Sequence, residues 1–295
     1  MTLRRNYARY GASTSFFGSV EDFLSTPPLG SLPKEAEAVS IRYGEAFLDL
    51  LIEDRGADST IILFHAAIDP SKTTLPVFVG RQVVDGIDAN LIYVSDPSLD
   101  RGASIGWFTG DESRPYQEDL ERCLSHVFTG LHPDTPVSEL GERTIFWGAS
   151  AGGFAALYYS NRFPKSLAVV SNPQTHIGRY HEPQVTAYLE KCWSGRSLSD
   201  TNITFDLVAE YNKGFENYVA YLQNRDDELH YKQHFLPWSQ AVADHPRQWR
   251  LLLGDWGKGH APAPTFLLTG ILGFAASLHG DWEQLFSDEV FTDDA

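Results

Sequence analysis

Short apolar runs of strand length recur along this chain, separated by stretches with helical spacing. Thr60–Phe64 and residues 90–94, 144–147 and 167–170 are compact runs of the kind that sits buried within a sheet. Residues 218–222 and 249–253 continue the series. Between them, residues 118–128, 154–161 and 265–278 read as helices. Strands alternating with helices predict an α/β fold: a mostly parallel central sheet with helices on both faces. Upstream, residues 38–43 and 46–52 flank Gly44 and read as an antiparallel hairpin at the sheet's edge.

A chain of 295 residues suits one such domain, expected over residues 38–286. Residues 1–37 are rich in Gly, Ser and Pro, with Pro27, Pro28 and Pro33 as breakers, and are expected to wrap the surface. Residues 287–295 form an acidic tail expected to fray. The excursion over residues 172–217, with a helical stretch at 184–193, suits a small lid over a site rather than a second domain.

The charge balance narrows the partners. Asp and Glu number 39 against 23 Lys and Arg, for a formal net charge of −16. Neutralising phosphates needs a basic surface, so nucleic acid is not an expected partner, and an anionic membrane surface is disfavoured for the same reason. No apolar run reaches the ~18 residues of a membrane span, and none of signal-peptide length follows the N-terminal basic residues. A soluble cytoplasmic protein is therefore expected. Cys123 and Cys192 are too few for a disulfide scaffold or a four-cysteine zinc site.

The segment that carries chemistry is Gly148-Ala149-Ser150-Ala151-Gly152, followed by Gly153. An apolar run precedes it and a helical stretch follows. A nucleophile elbow needs this strand–turn–helix context, with small residues around a serine whose backbone is strained. The Ser150 hydroxyl would then sit at a helix N-terminus, where backbone N–H groups favour developing negative charge.

A serine needs a base. His260, in Gly257-Lys258-Gly259-His260, follows the last apolar run on a glycine-rich loop from which its ring can reach over the sheet. The third member is expected on the loop after residues 218–222, where Asp226, Asp227 and Glu228 are all candidates. The carboxylate would hold the imidazole tautomer and stabilise the imidazolium. The oxyanion hole would use the N–H of Ala151 and that of Ala66 or Ala67, on the loop after Thr60–Phe64. His65 is placed to orient that loop or touch substrate.

The chain order Ser…Asp…His, with its elbow, resembles the α/β-hydrolase superfamily over roughly residues 38–280. Shorter segments are similar to serine-hydrolase-like proteins of bacterial glycan and glycoprotein assembly, including an accessory-secretory type implicated in sugar O-acetylation. These are Ser95-Asp96-Pro97-Ser98-Leu99, Gly148-Ala149-Ser150-Ala151-Gly152-Gly153, Ser171-Asn172-Pro173-Gln174-Thr175 and Gln223-Asn224-Arg225-Asp226-Asp227-Glu228-Leu229-His230. The Asn-x-x-Asp-x-x-His pattern of that type falls on Asn224, Asp227 and His230, and the resemblance therefore implies Asp227 as the acid. The His-Gly-Gly-Gly loop of one esterase branch is absent; His65-Ala66-Ala67 stands there instead.

His230 and His234 are spaced four apart, but the glutamate of a His-Glu-x-x-His zinc helix is missing, so no metal is expected. No phosphate-binding glycine loop follows the first strand, so no nucleotide or other cofactor is expected. Trp107, Trp256, His65 and His230 are the candidates to line a substrate pocket. The expected activity is serine-dependent acyl transfer from a small-molecule or glycan ester, with water as default acceptor. Transfer to a glycan or glycoprotein hydroxyl is the alternative. A non-catalytic, hydrolase-like component of a glycosylation or secretion complex is the competing reading.

Overall fold

The computed structural model describes residues 4–28, 36–287 and 290–291. Among the described residues, nine strands form one sheet: β1 (Ser13–Phe17), β2 (Glu37–Tyr43), β3 (Ala46–Glu53), β4 (Thr60–Phe64), β5 (Asn90–Ser95), β6 (Thr144–Ala149), β7 (Leu167–Ser171), β8 (Tyr218–Asn224) and β9 (Trp249–Gly254). Their order is β1-β2-β3-β5-β4-β6-β7-β8-β9. From β5 to β9 every neighbouring pair is parallel, whereas β3 runs antiparallel to both β2 and β5.

The helices are α1 (Val20–Leu24), α2 (Tyr116–Leu131), α3 (Ala151–Arg162), α4 (Glu182–Cys192), α5 (Leu207–Tyr211), α6 (Glu228–His230), α7 (Leu236–Ala241), α8 (Thr265–Ser277) and α9 (Trp282–Phe286). A π turn, Tyr231–Phe235, joins α6 to α7. No helix among the described residues is long and apolar enough to cross a membrane.

Strand periodicity explains the two cores. Successive side chains point to opposite faces, so Ile62, Phe64, Ile92, Val94 and Phe146 join the core under α2 and α3. Ile61, Leu63, Leu91, Ile145 and Trp147 face the core under α8 and α9. Helix α2 buries Leu120, Cys123, Leu124, Val127 and Phe128, and α8 buries Leu268, Ile271, Leu272, Ala275 and Ala276. Both sets follow the spacing of a single helical stripe. Cys123 and Cys192 are free, buried thiols.

Two expectations need correcting. The β2–β3 hairpin is not the sheet's edge, because β1 pairs parallel to β2 beyond it. Ser13–Phe17 buries none of its five residues fully, so its sequence carries no hydrophobic alternation by which to recognise a strand. The N-terminal segment therefore does more than wrap: Arg5 pairs with Asp49 of β3 and with Asp100, and the Tyr7 hydroxyl lies 2.7 Å from Ser40 Oγ. Pro33 lies outside the described residues. So does most of the acidic tail, although Phe291 is buried against Phe286.

The excursion over residues 172–217 holds α4 and α5 and is sewn into the main core. Ile177, Tyr188, Trp193, Leu207 and Tyr211 from this stretch are all buried there. Tyr180 turns its ring toward His230, 5.9 Å away between centroids, so the segment borders the C-terminal edge of the sheet.

Candidate active site

Strand β6 ends at Ala149, Ser150 turns the chain, and α3 begins at Ala151. Ser150 has φ 55° and ψ −118°. A non-glycine residue at positive φ is uncommon, and such strain persists only where the surroundings impose it. Here the surroundings are close backbone. A Cβ on Gly152 would lie 2.3 Å from the Phe64 carbonyl oxygen, and one on Gly148 would lie 2.1 Å from the Gly152 carbonyl oxygen. The two glycines let the first turn of α3 press against β4 and β6. The Ser150 N–H donates to the Ser171 carbonyl of β7 at 3.0 Å.

Asp227 follows β8 and caps α6, accepting from the His230 N–H at 3.2 Å. Its two oxygens serve different imidazoles. Oδ1 faces His230 Nδ1 at 2.9 Å, and Oδ2 faces His260 Nδ1 at 2.5 Å. Asp226 is exposed. The two rings stack, with centroids 4.1 Å apart. The pair differs in access: the His230 side chain is 2% exposed and that of His260 is 42% exposed.

The His260 loop is held by two asparagines. Asn224 donates from Nδ2 to the carbonyls of Gly257 (2.8 Å) and Gly259 (2.7 Å), and its Oδ1 accepts from the Trp256 N–H. Asn172, at φ 41°, donates to the Ala261 carbonyl at 2.8 Å and accepts from the Asn224 N–H at 2.6 Å. The loop after β9 is thereby tied to the ends of β7 and β8.

The sequence matches no protein-family model and no curated protein. Solved structures do resemble this one. A capsule O-acetyltransferase of Neisseria meningitidis serogroup A superposes with TM-score 0.54 at 14% identity, covering 84% of this chain and 93% of its own. MPT51 of Mycobacterium tuberculosis gives 0.55 at 11%, over 85% and 98%. An S-formylglutathione hydrolase from Agrobacterium tumefaciens gives 0.51 at 12%, over 84% and 95%. The fold is that of the α/β-hydrolases.

Ser150, Asp227 and His260 all lie at the C-terminal edge of the sheet, after β6, β8 and β9. Ser150 Oγ does not hydrogen-bond either imidazole. It accepts from Gln174 Nε2 at 2.8 Å, and the same Nε2 lies 2.7 Å from His230 Nε2. Ala151, as the first residue of α3, has an N–H with no acceptor inside its own helix. The His65 carbonyl, like that of Phe64, lies against Gly152, which brings the start of the Ala66–Ala67 loop to the elbow. His65 is buried in that loop: Nδ1 donates to the Ala66 carbonyl at 2.7 Å, and Nε2 accepts from the Asp96 N–H at 3.1 Å. Burial lowers its pKa, in keeping with a neutral ring that bridges two loops.

Trp107, read as a pocket wall, is fully buried, and its indole N–H donates to Gln174 Oε1 at 3.1 Å. Trp256 is half-buried on the opposite side of the sheet, against the core under α8. The electrostatics follow the hydrogen bonds. Burial acts to raise the Asp227 pKa, but the bonds from His230 and His260 outweigh it and hold the carboxyl below the usual carboxylate range. Burial lowers the pKa of His230. Asp227, His230 and His260 bring one carboxylate oxygen and two imidazole nitrogens within 4.8 Å of one another, the set a metal ion would use. Both Nδ1 atoms, however, are already engaged by the carboxylate. His234 is not of this set; its ring lies next to His230, centroids 5.3 Å apart, and its Nδ1 accepts from the Thr175 N–H at 3.1 Å.

Three site residues had no role assigned from sequence: Asn172, Gln174 and Asn224. Their signal was position, since each follows or ends a predicted strand within the polar segments Ser171-Asn172-Pro173-Gln174-Thr175 and Gln223-Asn224.

Proposed function

We propose that this chain is a serine-dependent acyl-transfer enzyme, acting on a carboxylic ester through an acyl-enzyme. The observation that carries the reading is the strained Ser150 at the head of a buried helix after β6, with an imidazole on the loop after β9 whose Nδ1 is engaged by the buried Asp227 carboxylate after β8.

The chemistry runs as follows. Ser150 Oγ attacks the ester carbonyl carbon while its proton passes to His260 Nε2. The carbonyl oxygen becomes an oxyanion, stabilised by the N–H of Ala151 and by that of Ala66 or Ala67. Collapse breaks the bond to the alcohol oxygen, which takes the proton from His260. An acceptor hydroxyl, activated by the same imidazole, then releases the acyl group. Asp227 holds His260 with its proton on Nδ1 and stabilises the imidazolium that forms. The bond from Ser150 to His260 is not made in the resting site, and such bonds commonly tighten only when substrate is bound.

Water as acceptor makes the protein an esterase, the first reading, in keeping with the resemblance to the S-formylglutathione hydrolase across 95% of that chain. A sugar hydroxyl makes it an O-acetyltransferase, the alternative raised by the resemblance to the capsule O-acetyltransferase across 93% of that chain. The test is labelling with a fluorophosphonate probe, read by intact mass and peptide mapping, beside Ser150→Ala. A single adduct on Ser150 supports the reading. A folded parent with no adduct and no turnover of acetyl esters refutes it in favour of a non-catalytic component.

A further inference from the structure

We propose that Gln174 is a catalytic residue of this reaction: its side-chain amide donates a hydrogen bond to Ser150 Oγ and is locked in that sense by Trp107 and His230. The proposal rests on the serine reading above.

Proton bookkeeping carries it. The indole N–H of Trp107 is only a donor, so the Gln174 atom facing it at 3.1 Å is the carbonyl Oε1. The amide nitrogen therefore lies on the other side, and its two hydrogens face Ser150 Oγ at 2.8 Å and His230 Nε2 at 2.7 Å. His230 Nε2 must then be the acceptor, which puts the ring proton on Nδ1. That proton donates to Asp227 Oδ1 at 2.9 Å. Every atom of the chain Trp107–Gln174–His230–Asp227 thus has one consistent role. Turning the amide over would set Nε2 against the indole N–H and Oε1 against the lone pair of His230.

The network is sealed. Gln174 and Trp107 are fully buried and His230 is nearly so, so water offers no substitute for a lost partner. The Gln174 N–H also donates to the Ser150 carbonyl at 3.2 Å, which ties the residue to the elbow by its backbone.

Two consequences follow for the chemistry. Ser150 Oγ already accepts one bond, so its own hydrogen is directed away from Gln174 and is free for His260. His230 cannot be the base, because its Nε2 lone pair is occupied. In acylation the Oγ–H bond breaks, the proton moves to His260, and Gln174 stabilises the negative charge growing on Oγ. In deacylation the C–Oγ bond breaks, and the same donor assists Oγ as the leaving group. Gln174 transfers no proton in either step. Trp107 and His230 act through it as positioning residues.

The test compares the full chain with Gln174→Met, Gln174→Glu and Trp107→Phe. The rate of fluorophosphonate labelling and the burst kinetics of an acetyl ester are followed across pH. Gln174→Met keeps the length and removes the donor, and should slow both acylation and deacylation by roughly tenfold to a hundredfold. Trp107→Phe keeps an aromatic ring but removes the indole N–H, frees the amide to turn, and should slow both steps by a smaller factor. Gln174→Glu carries a donor only when protonated, so its pH optimum should move to lower pH, a change that a purely structural role does not produce. Labelling of folded Gln174→Met at the parent rate overturns the proposal. If that variant does not fold, a Gln174→Glu profile that coincides with the parent's does so. Failure to label the parent at Ser150 is the separate failure of the serine reading, and takes this proposal with it.

Discussion

His230 and His260 lie face to face, their ring planes 15° from parallel, each with Nδ1 on a different oxygen of Asp227. One carboxylate therefore orients two imidazoles. Only the ring on the glycine loop is open to solvent.

This sharing makes Asp227 hard to replace. Asparagine offers one oxygen where two Nδ1–H groups need acceptors, so one imidazole must change tautomer or lose its partner. Asp227→Asn should lower kcat for an acetyl ester by about a thousandfold or more. Asp226→Asn, at an exposed neighbour, should stay within about twofold of the parent, because exposed substitutions away from such networks are worth little. Steady-state kinetics of the two variants decide the assignment. The reverse ranking would move the acid to Asp226.

The His260 loop depends on Asn224 as a donor. Asn224→Asp would put a carboxylate oxygen in place of Nδ2 against the carbonyls of Gly257 and Gly259, losing two hydrogen bonds of about 1 kcal/mol each. Amide exchange over residues 257–261 should quicken, and ester turnover should fall roughly tenfold or more. Unchanged exchange in the loop would show that the asparagine clamp is not what holds it.

His234 predicts acid lability. Burial, with neighbouring His230, lowers its pKa to about 3 from the ordinary 6.5. Above pH 6.5 the residue is neutral in both folded and unfolded chains. Below it the unfolded chain binds a proton that the folded chain refuses, so stability falls as pH drops, by about 1.4 kcal/mol per pH unit, down to about pH 3. His234→Asn retains an acceptor for the Thr175 N–H and does not titrate. Urea unfolding at pH 7 and 5.5 should show a loss about 1.4 kcal/mol smaller in the variant. Equal losses would remove His234 from the acid response.

Gly152 tests the elbow's packing. A methyl group there would meet the Phe64 carbonyl oxygen at 2.3 Å, and backbone cannot step aside cheaply. Gly152→Ala should cost about 1–3 kcal/mol of stability, the usual range for overpacking, and should also lower activity by shifting Ser150. Chemical denaturation and ester kinetics on the same preparation check both.

How much of this could be read from the chain depends on how local each cause is. Eight of the nine strands were legible, because burial between helix layers demands compact apolar runs and a run is a local property. β1 was not, since Ser13–Phe17 earns its place by pairing with β2 rather than by burying itself. The elbow was legible as a strand, a serine among small residues and a helix. The choice between Asp226 and Asp227 lay outside local reading, because adjacent residues differ only in which way the turn after β8 aims them. Trp107 reads in sequence as a candidate to line a substrate pocket, whereas it is fully buried, at φ 53°, with its indole on Gln174, 67 positions away.

The amino-acid sequence by itself determined the sheet's period, its helical cover, an acidic surface and the order in which Ser150, Asp227 and His260 occur. Those follow from hydrophobic spacing and from chemistry confined to a few neighbouring residues. Only the tertiary structure decided that Asp227 serves two imidazoles, that Asn172 and Asn224 hold the His260 loop, and that Gln174 reaches the serine. Hydrogen bonds between loops at the ends of different strands depend on orientation as well as proximity, and the sheet sets both only when β6, β7, β8 and β9 come into register.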